Sequence, residues 1–380
     1  MAIVATSARA WTLVGTGVSP PSWDLSIEKK PTPVSLCTGR RWYESSVSGR
    51  GAPVPVRRCA VCRAPIVALL CTAETIGRDL VRARRGVDGF LHDDARAVYW
   101  CGSCGSACRD PLAIHGDDMA RYGRCRYRQD TLDELCRKGR AELDRNASRI
   151  RARGVVAGAR LLEIGSYSGA FLELAHEAGC RVTGIDINAE VVAHCRARGF
   201  DVRGEAFEPR RFEVDEFDGV WILNCFEQLP DHARVLAGAA RVLRPDGTLV
   251  IRTPNAEFLR LLYATRGGAL LRSVARANAL LGMPFAKCFS AAALIRAIEE
   301  HGLTVERVEG QEFSSVAPAR WAQWWGVRRG LRVAAYRVGS VAVRRPLFPW
   351  LEVTARRTAR PTVSMAGRQS MPETDALIVP

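Results

Sequence analysis

The chain has 380 residues, 47% of them hydrophobic, enough for one large domain, a smaller companion and a buried core. No apolar run approaches the roughly 20 residues that cross a bilayer, so the composition excludes a spanning helix. The net charge of +15 sits mainly in the flanks, with eight basic against three acidic residues in 1–58 and eleven against three in 316–380. The centre is close to neutral, which argues against nucleic acid as the partner of a central pocket.

Residues 1–56 hold Pro, Ser and Gly without a period ("VSPPSWD", "KKPTPVS") and read as a disordered leader. Their start lacks the basic residues and dense apolar centre of a secretory signal. The 13 cysteines include several inside apparent helices and strands, such as Cys180, Cys195 and Cys225. That usage suits a reducing cytoplasm, where paired cysteines bind metal rather than each other. Residues 57–116 form a cysteine-rich unit: "RCAVC" supplies Cys59 and Cys62, and "WCGSCG" supplies Cys101 and Cys104. Two such knuckles present four thiolates to one tetrahedral zinc, a closed site without an open catalytic position. Cys71 and Cys108 are spare candidates. Residues 117–155 are charged with helical spacing and read as connecting helices.

From Arg160 short apolar strands alternate with helices. The strands are "ARLLEIG", "RVTGIDIN", "FDVRG", "EFDGVWILN" and "TLVIRT". The first two helices close at Gly179 and Gly199, and the third stops at Pro245 and Gly247. This alternation predicts an α/β fold, a Rossmann-like doubly wound and mostly parallel sheet.

"EIGSYSG" places Gly165 and Gly169 at the first strand–helix junction, where open parallel sheets bind ligands. A dinucleotide fingerprint needs glycine where Tyr167 stands. Glu163 at the strand end would repel a pyrophosphate and suits a ligand carrying an ammonium group. Asp186, 21 residues after Gly165, can accept both hydroxyls of a ribose. A ribose with a positive amino-acid-like end and no phosphate describes S-adenosylmethionine.

Residues 160–255 resemble a class I S-adenosylmethionine-dependent methyltransferase of the small-molecule type. The pieces that match are "LLEIGSYSG", "VTGIDIN", "FDGVWILNCFEQLPD", "ARVLRPDGTLVIRTPN" and, further on, "FSAAALIRAIEEHGLTVERVEG". The resemblance implies that Glu163 and Gly165 face the methionine part and that Gly169 closes the turn. It implies that Asp186 holds the ribose with Asn188 close by, that Ala206 and Phe207 contact adenine, and that Asn224 lines the methyl-donor side. This chain has Gln228 and Lys287–Cys288 where the family often has histidines. The cysteine pairs resemble the zinc-ribbon module ahead of some bacterial methyltransferase domains, including its Asp110–Pro111 exit.

The resemblance also implies seven strands, and the closing "TDALIVP" resembles the last of them. Residues 156–315 and 372–380 then make the methyltransferase domain, and 316–371 a basic, Trp/Arg-rich helical insertion. Within it Trp324, Val327, Leu331, Ala335, Val338 and Ala342 share one helical face flanked by arginines. Such a face over 320–345 suits peripheral contact with an anionic membrane, a homodimer contact or closure over substrate. The expected reaction is in-line methyl transfer to a small-molecule acceptor, a saccharide or secondary metabolite, governed by proximity and orientation. Glu227, His232 and Lys287 are the candidates for a general base. An RNA methyltransferase that recognises substrate through the zinc module, and a non-catalytic cofactor-binding scaffold, are the alternatives.

Overall fold

A computed structural model describes residues 57–66, 68–76, 96–109, 116–265, 268, 285–311, 333–340 and 347–358. The leader read at 1–56 lies outside them. A small sheet opens the chain with β1 (Ala68–Cys71), β2 (Val98–Trp100) and β3 (Ala107–Arg109). Helices α1 (Gly116–Gly123), α2 (Gln129–Asp144) and α3 (Ala147–Arg151) follow. The alternating part is β4 (Arg160–Ile164), α4 (Ala170–Glu177), β5 (Arg181–Ile185), α5 (Ala189–Ala197), β6 (Asp201–Arg203), β7 (Phe217–Leu223), α6 (His232–Val242) and β8 (Leu243–Pro254). It continues through α7 (Ala256–Ala264), β9 (Lys287–Cys288), α8 (Ala291–Glu299), β10 (Leu303–Gln311), α9 (333–340) and β11 (Trp350–Arg357).

Seven strands form the large sheet in the order β10-β11-β8-β7-β4-β5-β6. The pairs from β8 to β6 are parallel, and β11 runs antiparallel to both of its neighbours. The chain winds outward from β4 through β5 and β6, then returns to β7 on the other side of β4. That reversal opens a crevice at the carboxyl ends of β4 and β7.

Period-two alternation sends consecutive residues to opposite faces of the sheet. Leu162, Val220, Ile222, Leu249 and Ile251 pack with Val235 and Leu236 of α6 and Leu294 and Ile298 of α8. Leu161, Trp221 and Val250 join Phe171 and Leu174 of α4 and Cys136 and Leu143 of α2. The Phe171 and Trp221 rings lie 4.7 Å apart. Helix α2 is thus part of the domain wall rather than a connector, and its Arg140 reaches Glu173 and Glu177 of α4. Helices α4 and α5 stop where Gly179 and Gly199 take left-handed φ of 82° and 85°.

One expectation is corrected. The seventh strand is β11, inside the stretch read as helical insertion, whereas 372–380 lie outside the described residues. Its pattern was hidden because Glu352 is buried mid-strand beside Leu351 and Val353. The small module is joined to the large domain, because β9 of that domain pairs with β3 to complete a sheet β1-β2-β3-β9. On α9, Tyr336 packs near Phe258 and Phe348, while Ala335 and Val338 of the expected apolar face are exposed. Trp324, Val327, Leu331 and Ala342 of that face lie outside the described residues.

Glu309 and Glu352 stand directly opposite each other in β10 and β11, a repulsive pairing when both are charged. Both are buried, and Arg153, itself buried, bonds to each. Burial alone would raise the Glu352 carboxyl; Arg153, Arg252 and Arg149 instead hold it below the usual carboxylate range. Arg153→Met should therefore destabilise the fold by about 3–5 kcal/mol at neutral pH, read from urea unfolding. A lowered native pKa stabilises above the unfolded value and is lost as pH falls through the native one. The gap between wild type and variant should accordingly narrow below about pH 4.

Candidate functional site

The crevice begins at Gly165, whose φ of 83° turns the chain out of β4. A Cβ there would stand 2.6 Å from the Cys225 Sγ, so the bare backbone admits the loop that leaves β7. Cys225 donates to the Ile164 carbonyl at 3.0 Å, which fastens the two strand ends together. Gly169, at φ 76°, caps α4 with no room for a side chain beside Cys195. The close approach that the glycine turn serves is thus to neighbouring cysteines.

Three carboxylates are buried here. Glu163 ends β4, and its Oε2 has no hydrogen-bond partner among the described residues. Burial, then the charge of Asp186, push its pKa well up, against the pull of Arg252. Asp186 follows β5 and accepts from the Tyr167 and Asn188 amides at 3.0 and 2.9 Å and from the Tyr122 hydroxyl at 3.0 Å. Burial raises its pKa, and these hydrogen bonds oppose the rise. Glu227 is fully buried: Oε2 accepts from Thr253 at 3.2 Å, and Oε1 has no hydrogen-bond partner among the described residues. Burial lifts it to about 7. The Cys225 thiol is pushed up by burial and then by the charges of Glu227, Asp186 and Glu163.

A buried, unpartnered carboxylate oxygen is costly and calls for a cation or a donor. The Glu163 oxygen can therefore take a cation or a donor, and the Asp186 carboxylate can accept hydroxyls. Other sequence candidates are placed differently. The Asn188 side chain caps α5 and donates to the Tyr122 and Cys125 carbonyls, so it braces the turn. Ala206 is exposed, and the Phe207 ring packs near Phe212 and over Gly238 of α6. Asn224, at φ 59°, holds Arg252 at 2.9 Å, and Arg252 pairs with Glu142 of α2. Lys287 and His232 form a buried pair beyond Glu227. The Lys287 ammonium donates to the Leu229 and Pro230 carbonyls, and burial with Lys287 beside it lowers His232 to about 4.

Sequence reading missed Tyr122, Thr253, Cys225 and Arg252. Arg252 left a trace, since an arginine closing the apolar run "TLVIRT" implies a polar strand end. Tyr122 left none, because it meets Asp186 from 64 residues away.

The four knuckle cysteines lie together, with every Sγ within 4.8 Å of the others. Cys59–Cys104 and Cys62–Cys101 are 3.7 and 3.6 Å apart. Thiolates on one tetrahedral zinc at about 2.3 Å would be separated by about 3.8 Å, so the set fits that ion. Contact with Cys59, then burial, keep the Cys104 thiol protonated well above its ordinary value, and burial pushes Cys62 to about 11. Such thiols become thiolates only beside a cation. Cys108 lies 3.9 Å from Cys59 but outside the foursome, and Cys71 packs with Ile76. Elemental analysis of purified protein should find one zinc per chain, and Cys62→Ser/Cys101→Ser should lose it.

A family model described as a methyltransferase domain matches residues 127–308. The ubiquinone biosynthesis O-methyltransferase of Aromatoleum aromaticum is 32% identical over 132 residues, 33% of this chain and 53% of that protein. Its counterpart in Methylococcus capsulatus is 27% identical over 175 residues, 44% of this chain and 72% of that one. The chain thus spans about half the length of the first relative and more of the second. A solved S-adenosylmethionine-dependent methyltransferase from Mesorhizobium loti superposes with a TM-score of 0.39 at 21% identity, over 56% of this chain and 97% of that one. No helix among the described residues is long and apolar enough to cross a membrane. Residues 127–308 thus match a methyltransferase domain, carried on a seven-stranded and mostly parallel sheet, and the cysteine cluster at residues 59–104 fits a zinc module.

Proposed function

We propose that the protein methylates a hydroxyl of a small-molecule acceptor, a saccharide or secondary metabolite, with Glu227 as general base. The observation that carries this reading is a pair of buried carboxylates, Glu163 and Glu227. Each keeps one oxygen without a hydrogen-bond partner among the described residues. One suits the cationic end of the donor, the other an acceptor proton.

When bound, S-adenosylmethionine supplies a methyl group already activated by its sulfonium. Glu163 neutralises the ammonium end, and Asp186 accepts the ribose hydroxyls once Tyr122 shares or yields its bond. Glu227 accepts the acceptor's hydroxyl proton at Oε1 while Thr253 steadies Oε2. A carboxyl poised near 7 suits that task better than its two rivals. His232 is a weak base at a pKa of about 4, and the Lys287 nitrogen is committed to backbone carbonyls. The near-neutral centre favours a small acceptor over nucleic acid. The two relatives named for O-methylation support a hydroxyl nucleophile.

Calorimetric titration with S-adenosylhomocysteine, beside NAD, tests the donor: micromolar binding that Asp186→Ala abolishes is expected. Binding of NAD alone would overturn the reading. With an acceptor found by screening hydroxylated metabolites, Glu227→Gln should lower kcat by about 100- to 10,000-fold. The base works deprotonated, so wild-type kcat should rise with pH through about 7 and the variant should lose that limb.

A further inference from the structure

The small module meets the large domain at one place that matters for chemistry. Strand β3 lies one residue beyond the knuckle loop, and it pairs with β9 so that Ala107 faces Cys288 and Cys108 faces Lys287. The Arg109 amide donates to the Ala286 carbonyl at 2.8 Å, extending the ladder. On the other side, the Ala286 and Lys287 amides both point at the Glu227 carbonyl, at 3.2 and 3.4 Å. The Lys287 side chain then continues past Glu227 to bind the carbonyls of Leu229 and Pro230. Residues 286–287 are therefore held by the module on one edge and hold the Glu227 loop with the other.

A second tie runs through Ser290, which opens α8. Its hydroxyl accepts from the Ala293 amide and donates to the Cys104 carbonyl at 2.7 Å. Ala293 is buried in the cluster that contains Cys59, Cys101, Cys104 and Cys108. None of these ties involves Glu163 or Asp186: Glu163 pairs with Gly184 of β5 and Trp221 of β7, and Asp186 bonds to Tyr122, Tyr167, Asn188 and Arg203.

We propose that the four-cysteine metal centre is a positioning device for the acceptor side of the site: with its metal bound it sets β3 against β9, and β9 fixes the loop that carries Glu227. The donor side stands without it. The inference rests on the methyltransferase reading only for the role of Glu227; the mechanical coupling stands on the hydrogen bonds. Four thiols without a cation hold the two knuckles together only weakly, so metal loss loosens β3 first. The disturbance then passes through the β3–β9 pairing and the two amides on the Glu227 carbonyl to the base.

The test compares zinc-loaded full-length protein with the same protein after treatment with a strong chelator. Hydrogen exchange is followed by mass spectrometry, and S-adenosylhomocysteine binding by calorimetry. Exchange in 224–231 should quicken about tenfold or more on metal removal, while 160–166 and 183–188 keep their protection. Affinity for S-adenosylhomocysteine should change by less than about threefold. Lys287→Met should quicken the same loop with zinc still bound, and Lys287→Arg should restore it. Unchanged exchange in 224–231 would overturn the proposal. So would loss of protection at both places together, which is how a merely global stabiliser behaves. Failure of the untreated protein to bind S-adenosylhomocysteine would count against the methyltransferase reading and leave the coupling to the exchange data.

Discussion

The contact between the backbone of Gly165 and the side chain of Cys225 is the constraint on which the site depends. Parallel pairing puts the ends of β4 and β7 side by side, but their departing loops separate unless one yields its Cβ to the other. Gly165 yields it, and Cys225 closes the gap with a bond to the Ile164 carbonyl. Glu163 then lies two residues before the contact and Glu227 two after it. Two buried carboxylates are thus set on either side of one left-handed turn.

Burial does opposite electrical work in two parts of the domain. At the sheet edge, Glu309 and Glu352 face each other, and Arg153 converts a repulsive pair into an anchored one. In the crevice the balance is left incomplete: Arg252 opposes the rise at Glu163 and Glu227, but it is shared with Glu142 and Asn224. The edge is finished within the chain, whereas the crevice holds a surplus of acidic groups that a cationic ligand would complete. Tyr122, brought in by α1, covers Asp186 meanwhile.

The cysteine module gains its meaning from its join to this crevice. Strand β9 is only two residues long, yet it belongs to the module's sheet and its first amide points at Glu227. A closed four-thiolate centre has no place for substrate. Its influence on chemistry can therefore pass only through what it holds.

Much of this was legible in the sequence, because the signals are local. Apolar strands alternating with glycine-stopped helices specify a parallel sheet, and two C-x-x-C turns bring four thiols into a cluster that fits a metal ion. Glu163, the glycines and Asp186 sit at strand ends that hydropathy alone locates. Where the reading failed, the deciding contacts join residues far apart in the chain. Strand β11 reads as polar until Arg153, about 200 residues earlier, is seen to neutralise Glu352. The Asn188 amide donates to the carbonyls of Tyr122 and Cys125, contacts from over 60 residues away that the sequence does not reveal. Glu227, His232 and Lys287 were indistinguishable as bases, since each is merely a titratable residue near a strand end. Only packing left one a buried oxygen without a hydrogen-bond partner among the described residues, neutralised the second and committed the third to backbone carbonyls. Local pattern determined which elements form and where a ligand must sit; tertiary structure decided which side chains remain free to act there, because a side chain's availability depends on neighbours that the chain order does not reveal.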